Sequence, residues 1–227
     1  MTHTRHLWLW LGLLATALGH LRWGVDLLAW LAPVFWLHHL RSVAAASSTR
    51  ARRLGLLGWS AAFALAWTLA VLKITSAPLP HAFALLYSIP TALLLGWPYL
   101  VWYAALRREL PATHASLAFA AAMVVAEWSS YALTPFGTWG MLANAALDDL
   151  PLLQLAALAG PTAIGFVLHL LAATLEQGWA HGRVRALAWA SAAFVLAHAW
   201  GAARVAWLDE QQREQVVVAA IGTDADT

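Results

Sequence analysis

The chain has 227 residues, of which 62% are hydrophobic and only 11% are charged, with a formal net charge of +2. Soluble proteins carry about 25% charged residues, so a water-soluble fold could not bury this much apolar surface. The arginines lie at the ends of apolar runs, which argues against a nucleic-acid-binding face. The absence of cysteine excludes disulfides, thiolate metal sites and a cysteine nucleophile within these residues.

Two short apolar runs open the chain, at residues 7–18 and 27–40. Each corresponds to roughly 20 Å of helix, which is short for a bilayer core about 30 Å thick. The first has the outline of a secretory signal, but a second apolar run follows it rather than a soluble domain. We therefore expect a hairpin of spanning or re-entrant helices, with Arg22 and Asp26 pairing at its turn.

Five longer apolar segments follow, each close to the length of about 20 residues that a membrane-spanning helix needs. They cover residues 54–72, 82–106, 115–132, 152–175 and 186–207. Gly160-Pro161 is expected to bend the fourth of these segments. Together with the hairpin, they predict an all-α polytopic membrane protein with about seven transmembrane or re-entrant helices over residues 1–208.

The basic residues are distributed unevenly if these helices alternate in direction. One side would hold nine of the 13 Lys and Arg: Arg5, Arg41, Arg50, Arg52, Arg53, Arg107, Arg108, Arg183 and Arg185. The other side would hold four: Arg22, Lys73, Arg204 and Arg213. The positive-inside rule then predicts a cytoplasmic N-terminus and an extracytoplasmic end of the last helix.

The pattern changes after Trp207. Residues 209–215 are polar, and residues 216–222 form a short β-branched run that ends in Gly. Such a run predicts a strand, and a single strand is not stable alone. We therefore interpret residues 209–227 as a linker and the first strand of a truncated α/β domain.

Four patches carry a resemblance to a known family. They are LAWLAPVFWL at 28–37, VVAEWSSYALTPFGTWGML at 124–142, PLLQLAALAGPTAIGFVLHLLAATL at 151–175 and VVVAAIG at 216–222. In this order they resemble bacterial apolipoprotein N-acyltransferase, with the last patch similar to the opening strand of its nitrilase-like domain. The chain departs from the family's tighter Phe-Pro-Trp loop, since it reads Pro-Phe-Gly-Thr-Trp at 135–139.

The resemblance implies a bacterial inner-membrane enzyme that transfers an acyl chain from a phospholipid to the N-terminal amine of a lipoprotein. Membrane phospholipids and a lipoprotein would be its partners, and it implies no cofactor. The family's Glu, Lys and Cys triad would lie beyond Ile221, so this chain holds no catalytic residue and is expected to be inactive alone. A non-enzymatic membrane scaffold or a small transporter is the alternative, although the scarcity of charges inside the helices speaks against transport.

Glu127 is the one carboxylate within an otherwise apolar helix, and ionisable groups at membrane depth are functional candidates. In one interpretation it accepts hydrogen bonds from the loop that follows and holds that loop in place. In the other it contributes to an outer cleft that receives lipid or lipoprotein. The candidate substrate-binding residues are Glu127, Trp128, Tyr131, Phe136 and Trp139.

The ten histidines show no HExxH motif or other ligand cluster, so we expect no metal site. His169 and His198 fall within the last two long segments. We expect both as neutral imidazoles hydrogen-bonded between helices.

Overall fold

The computed structural model describes residues 2–75, 80–135, 137–182 and 184–211. Its elements are α1 (Thr2–Gly19), α2 (Asp26–Ala44), α3 (Thr49–Leu72), α4 (Ala82–Arg107), α5 (Ala112–Leu133), a 3-10 helix (Leu142–Ala146), α6 (Leu150–Leu153), α7 (Ala156–Ala159), α8 (Pro161–His181) and α9 (Val184–Gln211). Every regular element in these ranges is helical, which confirms the all-α prediction for this part of the chain. The strand predicted at 216–222 lies outside the described residues.

Three helices, α3, α4 and α5, are long and apolar enough to cross a bilayer. A fourth candidate arises if the α6 to α7 region and α8 are counted as one bent span. These helices agree with a membrane protein. Among the described residues the other helices do not reach that combination of length and apolar composition, so the count of about seven stays a prediction.

The bend before α8 has a local cause. Gly160 adopts a positive φ of 68°, a backbone conformation that disfavours residues with a Cβ, and Pro161 then occupies the first position of α8. The two helical parts meet at 116°. The predicted bend at Gly160-Pro161 is therefore confirmed, and it divides the apolar segment at 152–175 into separate helices.

Successive long helices run in opposite directions, so the bundle has two ends. One end, called here the loop face, holds the α1–α2 turn and residues 134–149. The opposite end, called the arginine face, holds the ends of α2, α4 and α8. Contacts that join elements at the arginine face include Arg41 Nη1, which lies 3.1 Å from His181 Nε2, and Arg107, which donates to Ala44 O at 3.3 Å.

Buried indoles hold α1 against α2 and join the α1–α2 hairpin to α4. Trp36 is fully buried and donates to Thr16 Oγ1 at 2.9 Å. Trp102 is also fully buried and donates to Leu37 O at 3.2 Å. A Cβ at Gly12 would lie 2.6 Å from the Trp36 ring, so glycine permits this close approach of α1 to α2. The hairpin is thus an integral part of the core.

Candidate functional site

Glu127 lies near the loop-face end of α5 and is only 1% exposed. Its Oε1 accepts two hydrogen bonds, from the Leu142 backbone N–H at 3.0 Å and from His169 Nε2 at 3.1 Å. Leu142 begins the 3-10 helix that follows the loop, and His169 belongs to α8. One carboxylate therefore connects three elements, and these bonds satisfy a polar group that would be unfavourable if buried alone.

Space for this carboxylate comes from a missing side chain on α8. A Cβ at Gly165 would overlap Glu127 Oε2. Oε2 and His169 Nδ1 have no hydrogen-bond partner in the described part of the chain. The pair thus retains unused hydrogen-bonding capacity in the interior.

The segment between α5 and the 3-10 helix is held by local hydrogen bonds. Thr134 Oγ1 donates to Ser130 O at 2.7 Å, which continues the last turn of α5. Asn144 Nδ2 donates to Thr138 O at 2.8 Å and closes the loop on itself. Gly140 adopts a φ of 80°, and a Cβ there would lie 3.0 Å from the Trp67 ring. The loop therefore has a defined shape that rests on Trp67 and Glu127.

A cavity of about 480 Å³ opens at the loop face, between the α1–α2 turn and this loop. We call it the mouth, and its polar lining includes His20, Arg22, Asp26 and Asn144. A narrower chamber lies beside it and is lined by Glu127, His169, Thr16 and Tyr99, among others. His20 and Gly140 line both cavities. Only residues shared by both cavities, His20 and Gly140, therefore lie between the mouth and the chamber that holds Glu127 and His169.

The mouth contains charged groups of both signs. Arg22 lies over the Trp23 ring at 4.5 Å, and no ion pair joins Arg22 to Asp26 within the described residues, in contrast to the pairing expected from their spacing. Burial lowers the pKa of His20 to about 4. Desolvation likewise lowers the pKa of Lys73, just after α3. A guanidinium and a carboxylate are thus both available to a ligand that enters the mouth.

The structure separates the residues that were predicted to form one cleft. Trp139 lines the mouth and is 48% exposed, whereas Glu127 lies behind the loop. Trp128 and Tyr131 are 52% and 50% exposed and do not line the mouth. Phe136 lies outside the described residues. The loop-holding interpretation of Glu127 agrees with its geometry, except that the donor is Leu142, just after the predicted loop.

His169 was expected to hydrogen-bond between helices, and its bond to Glu127 confirms this. His198 of α9 likewise bonds to a second element, since its Nε2 lies 2.7 Å from Oδ2 of Asp149, the N-cap residue of α6. Sequence reasoning missed His20 and Gly165 as parts of the site. Gly165 could have been found from its position four residues before His169, because residues at this spacing lie on one face of a helix.

A second polar cluster lies at the arginine face. Arg41 of α2 donates two hydrogen bonds to the fully buried carboxylate of Glu176, from Nε to Oε1 at 2.6 Å and from Nη2 to Oε2 at 2.7 Å. The same Nη2 donates to Gln177 Oε1 at 2.8 Å, and His38 Nδ1 lies 3.1 Å from Glu176 Oε1. This fork-to-fork geometry joins α2 to α8. No group of three or more His, Asp or Glu suited to a metal occurs in the part of the chain that is described.

Comparison with protein-family models gives a match. The family model of the apolipoprotein N-acyltransferase N-terminal domain matches residues 8–174. No curated protein and no solved structure matches the chain. The matched range contains most of the α1–α2 hairpin, the mouth and the Glu127–His169 pair. Because this match covers well over half of the 227 residues, the chain belongs to the apolipoprotein N-acyltransferase N-terminal domain family.

Proposed function

We propose that this chain is the membrane-embedded part of a lipoprotein N-acyltransferase, which moves an acyl chain from a phospholipid to the N-terminal amine of a lipoprotein. The family match over residues 8–174 carries this proposal. The apolar helices α3, α4 and α5 support it, because a phospholipid donor is reached from within the bilayer.

The reaction proceeds in two steps on the family analogy. A cysteine thiolate attacks the carbonyl carbon of the phospholipid ester, and a lysophospholipid leaves as the thioester forms. The lipoprotein amine then attacks the thioester, so that an amide forms and the thiol is regenerated. The chain contains no cysteine, so the nucleophile comes from outside residues 1–227. The role of the bundle is to hold the catalytic domain at the membrane surface and to present the lipid.

The mouth is the part of the bundle that suits substrate access. Its polar lining sits next to the apolar wall of the bundle, as the polar and apolar parts of a phospholipid require. Trp139 lies on its rim, and Glu127 fixes the loop that forms one side through the bond from Leu142. Trp128 and Tyr131 are about half exposed near the loop-face end of α5, and in this proposal they contact lipid beside the mouth.

The loop face is extracytoplasmic in this proposal, and the membrane is the bacterial inner membrane. The arginine count supports the orientation, since nine basic residues fall on one side and four on the other. A pair of fusions behind Ile221 tests it. A phosphatase that is active only outside the cytoplasm should be active when fused there, and a fluorescent protein that folds only in the cytoplasm should not fluoresce. Bright fluorescence of the second fusion would contradict the orientation.

Transplantation of a catalytic domain tests the function. We expect residues 1–227 alone to be inactive, whereas a fusion to the nitrilase-like domain of an active lipoprotein N-acyltransferase should N-acylate lipoproteins in cells depleted of their own enzyme. Mass spectrometry of lipoprotein N-termini provides the measurement. The matched control carries the same domain on an unrelated helical anchor of equal topology. Equal acylation by both fusions would refute a specific role of the bundle and favour a scaffold.

A further inference from the structure

A lateral groove lies between α5, α8 and α9 near the arginine face. Its volume is about 270 Å³. The floor includes Leu170, Thr174 and Ala190, and the rims carry Leu117 and Trp189, which are 49% and 78% exposed. The groove thus opens sideways from the bundle, where hydrocarbon chains surround a membrane protein, and its lining is mostly apolar.

A polar pocket of about 310 Å³ adjoins the groove at its arginine-face end. Its lining includes Arg41, Glu109 and His181. Ala112 and Gln177 line both the groove and the pocket, and Gln177 Nε2 lies 3.4 Å from Ala112 O. The two cavities therefore meet across this contact, with an apolar part on one side and a charged part on the other.

A junction of an apolar groove with a charged pocket suits a lipid, which has an acyl chain and a charged headgroup. The charged side chains of the pocket indicate the charge of the headgroup. Glu176 already compensates Arg41 through two hydrogen bonds, whereas Glu109 is exposed and forms no ion pair in the described ranges of the chain. A headgroup with only negative charge would meet Glu109 unfavourably. A zwitterionic headgroup can place its phosphate beside Arg41 and His181 and its ammonium beside Glu109.

We infer that the groove and the pocket together bind one zwitterionic phospholipid from the leaflet at the arginine face. One acyl chain lies in the groove between α5, α8 and α9, and the headgroup lies over Gln177 in the pocket. The site is at the end of the bundle opposite the mouth, so it binds a resident lipid rather than the acyl donor.

A second groove on the bundle provides a matched control. It lies between α3 and α4, also has a volume of about 270 Å³, and is lined by Phe63, Ala92 and Trp97, among others. Within the described residues its lining contains no charged side chain. Ala193→Trp fills the proposed groove, and Ser60→Trp places the same side chain in the control groove; Ala193 and Ser60 are both exposed.

Native mass spectrometry of the purified chain tests the inference, after exchange into detergent with equal amounts of phosphatidylethanolamine and phosphatidylglycerol. The unmodified chain should retain one phosphatidylethanolamine. Ala193→Trp should weaken retention about tenfold, as expected when about two methylene groups are displaced from the groove, and Ser60→Trp should retain the lipid. Equal retention by both variants would overturn the site.

A substitution in the pocket tests the headgroup separately. Glu109→Gln is at an exposed turn position and should leave folding intact, which circular dichroism checks. It should remove the preference for phosphatidylethanolamine over phosphatidylglycerol while one lipid is still retained. An unchanged preference in Glu109→Gln, or a preference for phosphatidylglycerol in the unmodified chain, would overturn the assignment of the headgroup.

Discussion

Replacement of Glu127 by alanine is the most direct test of the geometry at the loop face. The substitution leaves two buried donors, Leu142 N–H and His169 Nε2–H, without their acceptor. Each buried donor left unsatisfied costs about 1–3 kcal/mol. With partial relaxation we expect a loss of about 2–4 kcal/mol in the free energy of unfolding. Chains of this length lose about 2–4 °C in melting temperature per kcal/mol, so the midpoint should fall by roughly 5–15 °C.

Glu127→Gln serves as the matched control because its amide oxygen can still accept from Leu142 and His169. Its NH₂ group would face Gly165, where a carboxylate oxygen now packs without a donor. We therefore expect a smaller loss, about 1–2 kcal/mol. Thermal unfolding in detergent gives the order of the three proteins, which should be unmodified chain, then Gln, then Ala.

Hydrogen exchange places the effect at the loop. In Glu127→Ala the Leu142 amide should exchange faster than in the unmodified chain, while amides in the middle of α3 should change only with global stability. A double substitution with His169→Ala should show a coupling energy of about 0.5–3 kcal/mol, since the two side chains are in contact. An unchanged midpoint together with unchanged Leu142 exchange in Glu127→Ala would refute the reasoning.

Three further substitutions test other parts of the bundle by thermal unfolding. Gly165→Ala introduces a methyl group where a carboxylate packs and should cost about 1–3 kcal/mol, whereas Gly58→Ala meets no atom within 4 Å and should be neutral or stabilising; equal midpoints would contradict the predicted overlap. Arg41→Lys replaces a fork by a single ammonium and should cost about 1.5–3 kcal/mol, because it leaves part of the buried Glu176 carboxylate unbonded; an unchanged midpoint would oppose this. The unfolded chain binds a proton at His20 near pH 6.5 and the folded chain only near 4, so stability should fall as the pH decreases from 6.5 towards 4; His20→Asn should show a flatter pH profile.

The long helices were predictable because uninterrupted apolar runs fix them locally. Residues 54–72 and 82–106 correspond closely to α3 and α4. Arg53 and Lys73 flank the first run, and Pro80 and Arg107 flank the second. The bend at Gly160-Pro161 was predictable for the same reason, because both residues act on their own backbone. The number of membrane-spanning helices could not be predicted from such local signals. Short helices such as α1 cross a bilayer only with support from their neighbours.

The candidate site was harder to predict because its parts meet only in three dimensions. Glu127 stood out as a lone carboxylate, but its partner His169 lies 42 residues away on another helix. Nothing local indicates which of the ten histidines meets it. Gly165 is informative only once α5 and α8 are known to pack together. Trp128 was grouped with Glu127 by sequence proximity, yet adjacent helical residues point in different directions, and Trp128 is on the outer surface.

The last helix is fixed at the loop face by two polar contacts, and these determine where the chain leaves the described bundle. His198 reaches Asp149, and one turn and a half further along α9 Arg204 Nη1 donates to Gln154 Oε1 at 2.6 Å. Asp149 also accepts from Leu152 N at 3.0 Å, so the same carboxylate caps α6. The end of α9 is thereby held beside the segment that follows the mouth. Asp149 comes two residues after Leu147, which lines the mouth. In our proposal a catalytic domain behind α9 would therefore be carried on the loop face, the same end of the bundle as the substrate opening, and acyl transfer needs the two on one side of the membrane.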